Sequence, residues 1–162
     1  MNGYLEVIKK LDELNIPYNI VEHPPALTTE LADKFIEGHE GVRSKTMFLT
    51  NRRKTEYYLV IMDESKMLDM NKFREITNAN KIRMASSDSL SEKMGLAPGV
   101  VSPFGLLNNT EKDVNVYIDK DVLSEKIITF HPNTNEKTMF INTCDLPKFL
   151  NDIGYEMNII DL

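Results

Sequence analysis

Apolar residues recur along this chain with two periods, and the period assigns most of its elements. Leu5, Ile8, Leu11 and Leu14 come every three residues, which predicts an amphipathic helix over 4–14 that stops at Asn15. Residues 18–22 predict a short strand that runs into His23-Pro24-Pro25, where proline forbids further pairing. Thr29 is placed to cap a helix from Glu30 to about Glu37, ended by Gly38. Residues 46–50 and 57–62 read as the two strands of a hairpin. Further along, 70–77 predicts a helix and 82–85 a strand. Ser89 and Glu92 have capping-box spacing, with Gly95 as the stop. Residues 114–119 alternate as a half-buried strand does. Residues 127–130 and 138–141 flank a turn at 131–135 as a second hairpin. Thr143 is placed to cap a last helix to about Ile153, before a closing strand over 155–160.

Helices interspersed among hairpins predict an α/β (α+β mixed) fold, a largely antiparallel mixed sheet surrounded by helices. No repeat, low-complexity tract or linker interrupts it, so residues 1–162 read as one domain. Hydrophobic residues make up 41% and charged residues 27%, which excludes a disordered chain. Apolar runs of a few residues, such as 57–62, fall short of the roughly 20 that span a bilayer. The start shows neither a basic nor an apolar leader region, and the single Cys144 cannot form an internal disulfide. Both features point to a cytoplasmic protein without membrane partners.

A net charge of −6 speaks against a protein that coats long nucleic acids, DNA included. It leaves room for a brief grip on one RNA end. Arg43, Lys45, Arg52, Arg53 and Lys54 form the dense basic cluster. Arg52-Arg53-Lys54 is either such a grip or a solvated hairpin turn.

Candidate chemistry lies where polar residues meet a stiffened backbone. Lys45 precedes an apolar strand, so its side chain either snorkels at the edge or enters a cleft. His131 stands before Pro132, as a hydrogen-bonded turn residue or as a catalyst. The loop Pro98-Gly99-Val100-Val101-Ser102-Pro103-Phe104-Gly105 is a rigid connector, or a turn whose amides face a developing oxyanion. Other chemistries fit worse. His23, His39 and His131 lack paired-ligand spacing, and one cysteine builds no zinc knuckle, so neither metal nor cofactor is expected. Ser102 is followed by proline, which lacks the amide that a nucleophile elbow uses. No glycine-rich phosphate fingerprint occurs either.

Taken in order, His-Pro-Pro, Gly-x-x-x-Lys before a strand, Pro-Gly-x-Val-Ser-Pro-Phe-Gly and His-Pro-x-x-Asn resemble the YbaK/ProX-type aminoacyl-tRNA editing domains. The spelling is most similar to the prolyl-tRNA deacylase subgroup, called PrdX or ProXp-ala. The resemblance runs from His23 to the last helix. It implies hydrolysis of mischarged tRNA(Pro), above all of its alanyl ester, with the tRNA acceptor end as partner and prolyl-tRNA synthetase as a possible associate. It places Lys45, Gly99 and His131 in catalysis, with Pro103 closing the Gly99 loop. His23, Pro24 and Thr28 match a pocket wall, and Ser102 stands in the substrate loop. Met47, Phe48, Val100 and Val101 are the expected apolar lining. One departure is Glu136-Lys137, where relatives carry small or threonine-rich residues after the asparagine, and it bears on which amino acid is removed.

Overall fold

The computed structural model describes residues 3–162. Its elements, in chain order, begin with α1 (Tyr4–Glu13), β1 (Tyr18–Glu22), α2 (Thr29–Phe35), β2 (Val42–Asn51) and β3 (Tyr57–Asp63). Next come α3 (Met70–Thr77), β4 (Ile82–Met84), α4 (Ser87–Met94) and a 3-10 helix (Pro103–Asn108). The remainder is β5 (Val114–Asp119), α5 (Lys120–Leu123), β6 (Ile127–Phe130), β7 (Lys137–Asn142), α6 (Asp145–Asp152) and β8 (Met157–Ile160).

The sheet has eight strands in the order β1-β7-β6-β2-β3-β5-β8, with β4 on a second partner edge of β2. β1 with β7, β2 with β3, β2 with β4 and β6 with β7 are antiparallel. β2 with β6, β3 with β5 and β5 with β8 are parallel. The parallel pairs join strands distant in sequence, which the hairpin-based expectation of a largely antiparallel sheet did not reach. β3 is an interior strand, and its unbroken apolar run is buried on both faces. Tyr57, Leu59 and Ile61 face the main core with Phe104, Phe130 and Phe149. Tyr58, Val60 and Met62 face a second cluster closed by Phe73.

Several local expectations shift by a residue or more. The buried stripe of α1 is Val7 and Leu11, with Ile8 and Leu14 beside them, and Leu5 is 74% exposed. A strict three-residue period drifts off a face that repeats every 3.6. Thr28, not Thr29, caps α2, its Oγ1 accepting from the Leu31 N–H at 3.1 Å, and the helix ends at Phe35. Ser86, not Ser89, caps α4 and accepts from the Ser89 N–H. Thr143 does not cap α6 through its side chain. Its buried Oγ1 has no hydrogen-bond partner among the described residues. Gly95 does end α4 in the left-handed conformation, with φ +65.

Candidate active site

β2 is longer than its apolar core, and that extra length makes a cleft. One edge is fully taken by β3 from Ser44 to Thr50. The other edge is paired to β6 only at Val42 and Arg43, and to β4 only at Leu49–Asn51. Between those two partners the sheet parts. Antiparallel ladders point the backbone groups of alternate residues to opposite sides. Arg43 accepts from the Glu64 N–H at 2.9 Å on the β3 side, whereas Phe48 accepts from the Ala85 N–H at 3.0 Å on the other. Thr46 shares the parity of Phe48, so its N–H and C=O face the gap.

The gap opens into a cavity of about 430 Å³, within the range of small-molecule sites. Phe48, Leu90, Val101 and Phe130 give it an apolar floor, and Leu27, Thr28 and Thr29 close it from the α2 side. Lys45, Gly99 and His131 all line it, although they lie up to 86 residues apart in sequence.

Each of the three is held by its surroundings. Lys45 sits inside β2 rather than before it, and its ammonium donates to the main-chain carbonyl of Lys66. Lys66 is itself anchored, its ammonium donating to the fully buried Asp119 at 2.7 Å and to the carbonyl of Leu162 at 3.2 Å. His131 packs at the end of β6, and its Nδ1 lies 3.3 Å from the Lys137 carbonyl. A carbonyl only accepts, so Nδ1 carries the proton and Nε2 keeps its lone pair in the neutral ring. Burial pushes the imidazole below its ordinary value, which favours that neutral form. Gly99 holds φ +91, and a Cβ there would meet only open space. The backbone conformation alone selects glycine at this turn. The Val100 N–H donates to Ala97 at 3.3 Å and Pro98 has none, so the amides of Gly99 and Val101 are the ones the loop can offer.

Other expected residues stand elsewhere. His23 stacks on Phe35 at 5.0 Å and hydrogen-bonds Thr138 Oγ1 at 2.9 Å, and neither it nor Pro24 lines the cleft. Thr28 does. Phe48 and Val101 line it, but Met47 packs into the second cluster beside Leu49. Val100 packs against the main core. Ser102 and Pro103 are buried behind the loop, where Ser102 Oγ accepts from the Phe104 N–H at 3.2 Å and starts the 3-10 helix. Arg52, Arg53 and Lys54 are exposed in the β2–β3 turn, roughly 23 Å along the strand from Lys45 at ~3.3 Å per residue.

Glu64 is the cleft residue that sequence reading missed. It follows an apolar strand and looks like the first residue of a solvated loop. Burial, joined by a hydrogen bond from Asp33, pushes its carboxyl up to about 8. Ser44, Thr46 and Ala85 also line the cleft, and only the parting of the sheet identifies them.

The profile of the aminoacyl-tRNA editing domain matches residues 23–149, which include every one of these cleft residues. The prolyl-tRNA editing protein ProX of Acetoanaerobium sticklandii is 33% identical over 162 residues, covering 100% of this chain and 99% of that protein. A prolyl-tRNA synthetase associated domain-containing protein 1 of Danio rerio is 30% identical, covering 91% of this chain and 80% of that one. Among solved structures, a candidate trans-editing enzyme for prolyl-tRNA synthetase superposes with a TM-score of 0.75 at 18% identity, covering 100% of this chain and 98% of the other. At that identity the likeness speaks for the fold.

Proposed function

This chain belongs to the aminoacyl-tRNA editing domain family, and we propose that it acts in trans to deacylate mischarged tRNA(Pro), with alanyl-tRNA(Pro) as its main substrate. The observation that carries the reading is the meeting of Lys45, Gly99 and His131 at one cavity where the sheet parts.

The reaction needs little machinery. An aminoacyl ester is already activated, so positioning it and polarising its carbonyl lets water attack. The amides of Gly99 and Val101 face the developing oxyanion. Lys45 places a fixed positive charge at the cleft for the phosphate of the terminal adenosine. Neutral His131, held through Nδ1, uses Nε2 to accept a hydrogen bond from the substrate's ribose or amino group. No cofactor enters this scheme.

Size supports alanine. A synthetase pocket shaped for proline rejects alanine weakly, because each missing methylene is worth only about 1–3 kcal/mol. A second, tighter site can exclude proline sterically. Phe48, Val101 and Phe130 form the apolar floor on which a small side chain would rest. The names of the relatives tie this family to proline charging, which supports tRNA(Pro) as the partner and an association with prolyl-tRNA synthetase.

Incubating the protein with alanyl-, cysteinyl-, seryl- and prolyl-tRNA(Pro) tests the reading. Rapid loss of the alanyl ester with the prolyl ester spared is expected. A preference for the cysteinyl ester would move the specificity within the same reaction. Binding without hydrolysis of any of them would make the chain a carrier and overturn the proposal.

A further inference from the structure

We propose that Glu64 is the proton-transfer residue of this cleft, with Asp33 behind it as a positioning residue. The proposal rests on the deacylase reading above. Glu64 follows the last residue of β3, and its N–H donates to the Arg43 carbonyl at 2.9 Å. That bond extends the β2–β3 ladder by one pair and fixes Glu64 on the cleft wall, which Lys45 and His131 also line. Asp33 comes from α2, one residue after the cleft-lining Ala32, and its carboxyl hydrogen-bonds Glu64.

The charged groups around Glu64 are all accounted for. Asp33 faces it from α2, Arg43 from β2, and Asp63 precedes it on β3. Arg43 is the nearby cation, but its guanidinium donates to the carbonyls of Gly41 at 2.7 Å, His39 at 2.9 Å and Ile36 at 3.1 Å. The Asp63 carboxylate accepts from the N–H and hydroxyl of Ser65 at 2.9 and 2.8 Å. Lys45 donates to Lys66. Among the described residues no basic side chain forms an ion pair with Glu64 or Asp33. Burial, with the Asp33 and Asp63 side chains nearby, raises the Glu64 carboxyl against the opposing pull of Arg43. A carboxyl poised at about 8 is suited to accept and return a proton near neutral pH. His131 is not so poised, because burial pushes it the other way.

The step balances. A water oxygen bonds to the ester carbonyl carbon while one of its protons passes to the Glu64 carboxylate. The tetrahedral oxyanion rests on the loop amides. The bond from carbon to the ribose oxygen then breaks, and Glu64 returns its proton to that oxygen. The products are the free amino acid and the uncharged RNA end.

Single-turnover deacylation of alanyl-tRNA(Pro) across neutral to mildly alkaline pH tests this, with wild type, Glu64→Gln and Asp33→Asn. Glu64→Gln should lose about 10²-fold or more in rate with KM little changed. Asp33→Asn should keep turnover but move the rising limb of the rate profile to lower pH, because Glu64 then ionises with one acidic neighbour fewer. A limb belonging to the substrate's own amino group would stay in place in that variant. Wild-type activity together with an equally active Glu64→Gln overturns the inference and leaves the deacylase reading standing. A wild type that hydrolyses no aminoacyl ester overturns both. Should Glu64→Gln fail to fold, carbon-13 titration of the Glu64 carboxyl in the wild type decides. A midpoint near 8 that falls in Asp33→Asn supports the role, and one in the ordinary carboxyl range overturns it.

Discussion

Ser102 Oγ donates to Asn133 Oδ1 at 3.0 Å, and this bond ties the Gly99 loop to the turn that carries His131. The two segments are separate in sequence, yet both must hold position for the cleft to keep its shape. Ser102 is fully buried and also starts the 3-10 helix through the Phe104 N–H. Ser102→Ala removes the cap and the tether together. A stability loss of about 1–2 kcal/mol is expected from denaturant midpoints. Turnover should fall by more than that loss of folded protein explains, because misplacement by about 1 Å can cost on the order of 10²-fold. Unchanged turnover per folded molecule would show that loop and turn are positioned independently.

Lys45→Ala should lose on the order of 10²-fold in deacylation, as expected of one preorganised charge, and should remain folded. Its ammonium meets a main-chain carbonyl at the strand edge, and its side chain is only half-buried. Lys66→Met should act through it. Losing the link to buried Asp119 frees the segment whose carbonyl holds Lys45. Circular dichroism and kinetics on the same samples separate the two effects. Near-wild-type rates for Lys45→Ala would make it a snorkelling surface residue.

Glu64 should make the fold weaker as pH rises. Its carboxyl titrates at about 8 in the folded chain, against an ordinary 4.5 when unfolded. Between those values the folded chain holds a proton that the unfolded chain has released, so stability falls as pH rises through the window and levels off above about 8. Glu64→Gln removes the titration. Its stability relative to wild type should therefore be higher at pH 8 than at pH 5, measured by urea unfolding at both. A pH-independent difference would contradict the raised carboxyl.

The basic turn should bind RNA without touching the chemistry. Arg52, Arg53 and Lys54 are exposed at the far end of β2 from Lys45, beside exposed Arg83, whose backbone pairs with Thr50. At that distance they would meet an RNA several nucleotides from the ester. Replacing all three by Ser should raise KM and leave kcat mostly intact, since such contacts bind ground and transition states alike. Each lost phosphate contact should flatten the slope of log affinity against log salt by about 0.7 on a single strand. A triple variant with the wild-type slope would make the turn merely solvated.

Local physics settled much of this protein in advance. The apolar run 57–62 had to be a strand, Gly95 had to end a helix, and the loop around Gly99 had to be stiff, because period, left-handed φ and fixed proline φ act over a few residues. The motif order likewise singled out Lys45, Gly99 and His131, and the fold brings all three to one cavity. What sequence could not decide was contact between distant segments. Whether Met47 or Phe48 lines the cleft depends on which face of β2 meets the main core. His23 left the site because Phe35 and Thr138 hold it. Glu64 joined the site because β6 and β4 leave the middle of β2 uncovered, and because α2 brings Asp33 to its side. A charge after a strand is ordinary when read along the chain. Burial and the neighbouring Asp33, both supplied by tertiary structure, push its carboxyl up to about 8.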